Sequence, residues 1–292
     1  MSNEEKWKFK RTMNEELKKK LIEEPLYKQL LPDIKDNGEV FPAIRNEVID
    51  FYHNGGRLFS YDKEGFKTHV KYASAYKEHP DDYIAESMLK YMRPIENFIE
   101  GYRGIKKNCT LFSGVEAKGV SKICKNYSYA LTKSKDLSVV VLDVEISFRA
   151  LEKDKTQDRI DMLLFEKGKK RLIFCEVKEF SNSEIWAEKV ENIKVVEQIR
   201  RYNAQIEDKQ DQIIAAYNNY TKIFKDLFQI SLPEPEKICP TVPLIIFGFD
   251  RDQLKGRFKD LFKEKIESTI IYYPIGNVSS IKLENLIKQC NL

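Results

Sequence analysis

Two short apolar runs with a glycine-bearing turn between them constrain this chain more than any other feature. Asp158-Arg159-Ile160-Asp161-Met162-Leu163-Leu164-Phe165 is followed by Glu166-Lys167-Gly168-Lys169-Lys170 and then by Arg171-Leu172-Ile173-Phe174-Cys175-Glu176-Val177-Lys178. Runs of this length, bounded by turn residues, read as the strands of an antiparallel hairpin. Placing Gly168 and Lys169 at the centre of a two-residue type II′ turn predicts the register. Phe165 then opposes Leu172, Leu163 opposes Phe174, and Asp161 opposes Glu176. Opposed residues share a face with Cβ atoms roughly 4.5–5.5 Å apart, and Lys178, two positions beyond Glu176, shares it too. A slip of one residue would set Cys175 against Asp161 and dissolve the cluster.

Two facing carboxylates in apolar surroundings are in electrostatic conflict, because like charges repel and desolvation adds to the cost. A divalent cation resolves it, and hard oxygen ligands suit Mg²⁺ or Mn²⁺. Such an ion can polarise a phosphodiester and activate water, while a lysine beside it can orient the nucleophile or stabilise developing charge. On these three residues alone, a structural ion pair of Lys178 with a carboxylate at the sheet end is an equal alternative. A helix expected over residues 184–206 carries Gln198 and Tyr202 one turn apart on one face, with Lys189, Lys194, Arg200 and Arg201 on the same element. An amide and a phenol so placed can hydrogen-bond a phosphate or position the lysine.

The flanking text supplies the rest of an α/β domain with a mixed sheet. Strands are expected at Leu137–Ile146, Leu244–Phe249 and Thr269–Tyr273. Helices are expected at about 210–229, 251–265 and 281–290. Upstream, residues 1–35 lean helical, and Lys18-Lys19-Lys20 behind Glu15-Glu16 reads as a solvated helix face. Val48–Tyr52 and Arg57–Tyr61 flank Asn54-Gly55-Gly56, a strong hairpin signal, and Phe66–Tyr72 is expected as a third strand of the meander. A helix is expected over 82–102 with Pro94 as a kink. Between 105 and 137 the signals are mixed and place no element. The division that follows is an N-terminal helical and β-meander region, 1–80, and a second domain, 81–292, with core motifs at 137–250.

Composition narrows the class without naming it. Fifty Lys+Arg against 46 Asp+Glu leave a net charge of only +4, which permits a polyanionic partner without demanding one. Five scattered cysteines without a CxxC pair and three histidines without ligand spacing argue against a disulfide framework or a zinc cluster. The polar N-terminus and the lack of a long apolar run lead us to expect a soluble cytoplasmic protein without membrane contact.

Arg159-Ile160-Asp161, Glu176-Val177-Lys178 and Gln198-x-x-x-Tyr202 together resemble the PD-(D/E)XK nuclease superfamily, in particular its branch with RecB-type motifs. The resemblance covers about residues 137–250. It implies a three-layer α/β/α, restriction-endonuclease-like core that cleaves nucleic-acid phosphodiesters with Mg²⁺ or Mn²⁺. By that resemblance Asp161 and Glu176 bind metal with the Val177 carbonyl as a further ligand, Lys178 is the catalytic lysine, and Gln198 and Tyr202 form the helix motif. DNA is the expected partner and RNA a second, the chain is compatible with a homodimer, and restriction, phage defence or repair are the expected settings. Ile160 stands where many members have proline. Many members also draw another acid from a helix before the first strand; Glu96, Glu100 and Glu145 are candidates, and none is assigned. The competing expectation is a catalytically silent nucleic-acid-binding or assembly module on a nuclease fold. The meander, lying outside the family core, is the expected specificity or partner element.

Overall fold

The computed structural model describes residues 9–73, 97–148, 159–187, 193–256, 258–259 and 270–290. Its main sheet is built on the expected hairpin. Strands β5 (Val139–Ser147), β6 (Arg159–Glu166) and β7 (Arg171–Glu179) are consecutive and antiparallel. β9 (Leu244–Phe247) then runs parallel to β7, and β10 (Tyr272–Ile275) parallel to β9, giving the order β10-β9-β7-β6-β5. The two-residue strand β8 (Lys237–Ile238) adds to the start of β7. A parallel return needs a long crossover, and α6 (Lys194–Asp208) and α7 (Gln210–Phe228) supply it between β7 and β9. The sheet is mixed and the class is α/β. β6 and β7 are apolar on both faces because helices cover both faces.

Side-chain parity separates those faces. Tyr217 of α7 meets Phe174 of β7, on the face that carries Leu172, Glu176 and Lys178. Gly119 of α5 (Val115–Tyr127) lies against the Phe247 ring so closely that a Cβ there would overlap it. Phe247 pairs with Glu179 and therefore projects from the opposite face. α9 (Leu283–Gln289) lies on the α5 side, where Tyr127 donates its hydroxyl to the Ile281 carbonyl.

The N-terminal region is a four-stranded antiparallel meander, β1 (Phe41–Ile44), β2 (Ile49–His53), β3 (Gly56–Asp62) and β4 (Gly65–Lys67), preceded by α1 (Glu15–Glu23) and α2 (Pro25–Lys35). The Asn54-Gly55 turn forms as expected, with both residues at positive φ (45° and 89°). Two expectations fail here. β1 was missed, its Phe-Pro start being a poor strand signal. The third strand stops at Lys67, and Val70–Ala73 turn into the short helix α3. The aromatic residues Phe51, Phe59 and Tyr61 are buried, so they pack a core instead of presenting a surface.

The meander is fastened to the main sheet by charge. Asp143 of β5 is fully buried and accepts from Arg11 (3.0 and 3.1 Å), from Arg45 (2.6 Å) and from the Tyr217 hydroxyl (2.8 Å). A β-bulge at Leu142 turns Asp143 to the Leu163 face, where those partners are. Lys18 differs from its expected solvated place. It is buried and paired with Glu15 and with Asp226 of α7, whereas Lys20 makes the exposed i,i+4 pair with Glu16.

Elsewhere the boundaries shift. The stretch 105–137 that placed no element is helical: α4 (Phe98–Phe112), α5, and a 3-10 turn at Thr132–Asp136. Most of the helix expected at 82–102, with its Pro94 kink, lies outside the described residues. The helix expected from 184 begins only at Lys194, after a 3-10 turn at Ser183–Ile185, and Lys189 lies outside the described residues. The helix expected at 251–265 is described only as α8 (Arg251–Lys255). No described helix is long and apolar enough to cross a membrane.

Candidate active site

The register of the hairpin determines whether Asp161 and Glu176 meet, and it is the expected one. Leu163 pairs with Phe174, Phe165 with Leu172 and, at the end of the paired ladder, Met162 with Cys175, so the same register continued by one residue sets Asp161 against Glu176. The turn that sets this register is not type II′. Gly168 does not take a positive φ; Lys170 does (51°), and its N–H donates to the Lys167 carbonyl. Lys167 through Lys170 form a four-residue loop, a length that preserves the same strand alignment.

Asp161 stands where β6 begins and β7 ends, and its Oδ2 accepts the Val177 N–H at 2.8 Å. Glu176 is almost completely buried; its carboxylate binds the Lys178 ammonium through Oε1 at 2.9 Å. Its Oε2 is buried without a hydrogen-bond partner among the described residues. An unpartnered carboxyl oxygen in that environment is costly unless a proton or a cation completes it. Lys178 is also paired with Glu184 at 2.9 Å, from the 3-10 turn that follows β7.

The electrostatics follow from burial and crowding. Burial pushes the Asp161 carboxyl up to about 7; the Val177 N–H and Lys178 oppose this, and the charges of Glu145 and Glu116 add to it. Burial and then the Asp161 charge raise Glu176 well above the usual carboxylate range, against the pull of Lys178. Burial works against the Lys178 ammonium, yet Glu176, Glu184 and Asp161 outweigh it and hold the amine above its ordinary value. Lys178 is therefore a fixed cation. It can stabilise negative charge, but it is a poor proton acceptor.

Glu116, in the first turn of α5, is the acid that sequence reasoning missed. Its charge reaches both Asp161 and Glu176. Its Oε1 accepts the Glu179 N–H (3.1 Å) and the Asn182 side chain (2.5 Å), tying the helix to the end of β7. The available signal was Ser113-Gly114 followed by Glu116, a helix start with an acid in its first turn. Of the earlier candidates, Glu96 lies outside the described residues and Glu100 is exposed on α4. Glu145 pairs with Arg159 at 2.8 Å.

The helix motif is present but differently employed. Tyr202 is fully buried; its hydroxyl donates to the Arg159 carbonyl at 2.7 Å and accepts from Gln198 at 2.5 Å. That bond holds the strand end bearing Asp161, two residues away. The hydroxyl proton is thereby given to the backbone, which ties Tyr202 to the strand that carries Asp161. Arg201 faces Glu197, and Trp186 packs on Phe180 with its indole N–H on the Phe180 carbonyl.

No protein-family model matches this chain, and no curated protein or solved structure is significantly similar to it.

The donor set can be judged on its own chemistry. Among the described residues, no three His, Cys, Asp or Glu side chains are gathered to grip an ion as they stand. Two carboxylates on one rung, one of them with an uncompensated buried oxygen, nevertheless fit a hard divalent cation.

Proposed function

We propose that this protein is a metal-dependent nuclease that hydrolyses DNA phosphodiester bonds. The proposal includes a restriction-endonuclease-like α/β/α core of the kind the PD-(D/E)XK resemblance implies. The observation that carries this reading is the buried, unpartnered Oε2 of Glu176, one register step from the Met162–Cys175 pair and so facing Asp161, with the Lys178 ammonium 2.9 Å from its other oxygen. Asp161 and Glu176 would hold Mg²⁺ or Mn²⁺, with the Val177 carbonyl as a further ligand and Glu116 as the helix-borne acid. The bound ion would supply Lewis acidity and a more acidic water.

The chain's own residues have separate tasks. Lys178, locked by Glu176 and Glu184, presents a cation where charge develops on the phosphoryl group. Tyr202 and Gln198 fix the end of β6 and so the position of Asp161. The Val177 N–H fixes the orientation of the Asp161 carboxylate. A structural ion pair alone would leave no reason to bury a second carboxylate against the first, since such a conflict costs stability.

The test is degradation of linear, circular and single-stranded DNA, and of RNA, with Mg²⁺, Mn²⁺ or EDTA. Wild type is expected to cut only with metal, and Asp161→Ala and Lys178→Ala to be inactive while remaining folded. Equal activity in all three proteins would refute the assignment. Tight DNA binding without metal uptake or cleavage would favour a silent binding module.

A further inference from the structure

Cross-strand pairing sets Asp50 of β2, Ser60 of β3 and Lys67 of β4 in one row, since Asp50 pairs with Ser60 and Ser60 with Lys67, and opposed residues share a face. Phe51, Phe59 and Phe66, of the other parity, pack the aromatic core of the meander, so the row lies on the face turned away from that core. On this face a groove of about 500 Å³ is lined by Arg57, Ser60, Lys67, Thr68, His69 and Tyr72 among others, and no described residue lining it is acidic. That volume is within the roughly 300–1,000 Å³ of ordinary ligand sites.

The groove offers donors and positive charge. Arg57 is 61% exposed, and the carboxylate oxygen it faces, Asp50 Oδ1, is 3.8 Å away, beyond hydrogen-bond reach. That oxygen is buried with no hydrogen-bond partner among the described residues. A buried acceptor left in this way costs stability; here it holds the guanidinium by charge while leaving the N–H fork for a ligand. The Lys71 N–H donates to His69 Nδ1 at 3.2 Å, which leaves the proton of the neutral ring on Nε2 as a further donor. Lys67 is shared by Asp62 and Glu64 at 2.7 and 2.6 Å. Such surface pairs are weak, so a phosphate can replace them at little cost. A planar fork suited to bidentate phosphate binding, a lysine and no lining acid fit a sugar-phosphate backbone.

Two connections join this face to the carboxylate pair. Arg45, whose Nε lies 3.4 Å from Asp50, donates to the Val144 carbonyl of β5, and Val144 pairs with Met162, the neighbour of Asp161. At the β2–β3 turn, Gly55 sits against Ala117, the neighbour of Glu116 in the first turn of α5. A Cβ on Gly56, next in the chain, would meet the Tyr72 hydroxyl at 2.9 Å. The turn therefore stands between the helix start that bears Glu116 and the groove wall that bears Arg57 and Tyr72.

We infer that this meander groove binds the phosphate backbone of the DNA substrate next to the cleavage site, with Arg57 as its principal phosphate ligand and Lys67 as a second. The inference rests on the nuclease reading above and deepens it by naming the surface, outside the sheet of the ion site, that holds the substrate.

The experiment is fluorescence anisotropy of the full chain with labelled single-stranded and duplex DNA in EDTA across a salt series, followed by cleavage kinetics of the same DNA with Mn²⁺. Arg57→Gln should weaken binding roughly tenfold at low salt, and Arg57→Gln and Lys67→Gln should each lower the salt slope by about 1. Both should raise KM with kcat little changed, and both should unfold at the wild-type temperature because the side chains are exposed. Lys222→Gln makes the same charge change at an exposed position of α7 and should bind as wild type does. Unchanged binding and KM in both groove variants, with wild type cutting DNA, would overturn this inference alone. So would an equal loss in Lys222→Gln, or a loss that appears only with a lowered unfolding temperature. DNA binding that depends on Arg57 in a protein that cuts with no metal would uphold the groove and overturn the nuclease reading. A wild type that neither binds nor cuts DNA would overturn both.

Discussion

Replacing Asp161 with asparagine should make the metal-free protein more stable at pH 8, although it removes a charged group from the centre of the candidate site. Asp161 has an ordinary pKa of 3.8 and is raised to about 7 in the folded protein, chiefly by burial. Between those values the native state keeps a proton that the unfolded chain has released. The associated stability is fully present below about pH 3.8 and is lost as pH rises through about 7. A rise of that size corresponds to about 4 kcal/mol if Asp161 carried it alone. The carboxyl is only half-buried and shares the charge conflict with Glu176, so about 2 kcal/mol is the expected gain. For a chain of this length that is about 4 °C in unfolding temperature. Asparagine can still accept the Val177 N–H, so the bond that orients the side chain survives. The assay is calorimetric unfolding of wild type and Asp161→Asn in EDTA at pH 4 and pH 8. The gain should be present at pH 8 and nearly absent at pH 4. Adding Mg²⁺ or Mn²⁺ at a hundredfold excess over Kd should stabilise wild type by about 2.7 kcal/mol and leave the variant unmoved. An equal loss of stability at both pH values, or equal stabilisation of both proteins by metal, would refute the account of two carboxylates in conflict.

Three further outcomes follow from particular contacts. Asp143→Asn removes the charge shared by Arg11 and Arg45 and should cost about 3 kcal/mol in urea unfolding, because buried Arg11 loses its carboxylate partner while Arg45 keeps, among the described residues, only Asp50 as an ion-pair partner, at 3.4 Å. Tyr202→Phe takes the hydroxyl from the Arg159 carbonyl and from Gln198; it should cost about 1–3 kcal/mol in the same assay and weaken Mn²⁺ binding by calorimetry. Gly55→Ala should lower stability by about 1–3 kcal/mol in thermal unfolding, since φ is 89° and the new Cβ would lie 2.5 Å from the Ala117 carbonyl carbon of α5.

How far the site could be read from the chain depended on the reach of each interaction. The hairpin of β6 and β7 was legible because a short turn closes it. Alternation with a period of two then commits every side chain to a face, so Asp161, Glu176 and Lys178 could be grouped before any coordinates. That register survived an incorrect turn type, since Lys170 takes the left-handed conformation while the loop keeps its length. The same locality made the Asn54-Gly55 turn and the long helix over Gln210–Phe228 visible.

Glu116 belongs to the other class. It reaches the end of β7 only because α5 packs across the sheet on Gly119, and nothing within a few residues of Glu116 specifies that docking. Asp143 is a second case: it looked like one more residue in an apolar strand, and only the convergence of Arg11, Arg45 and Tyr217 gives it a function. Tyr202 is a third, its hydroxyl spent on a strand 43 residues away. Turn closure and strand alternation are decided over a handful of bonds, so the sequence by itself determined the carboxylate pair. Which helix end, arginine or phenol comes to stand beside that pair is decided by packing between distant segments, and only the tertiary structure settles it.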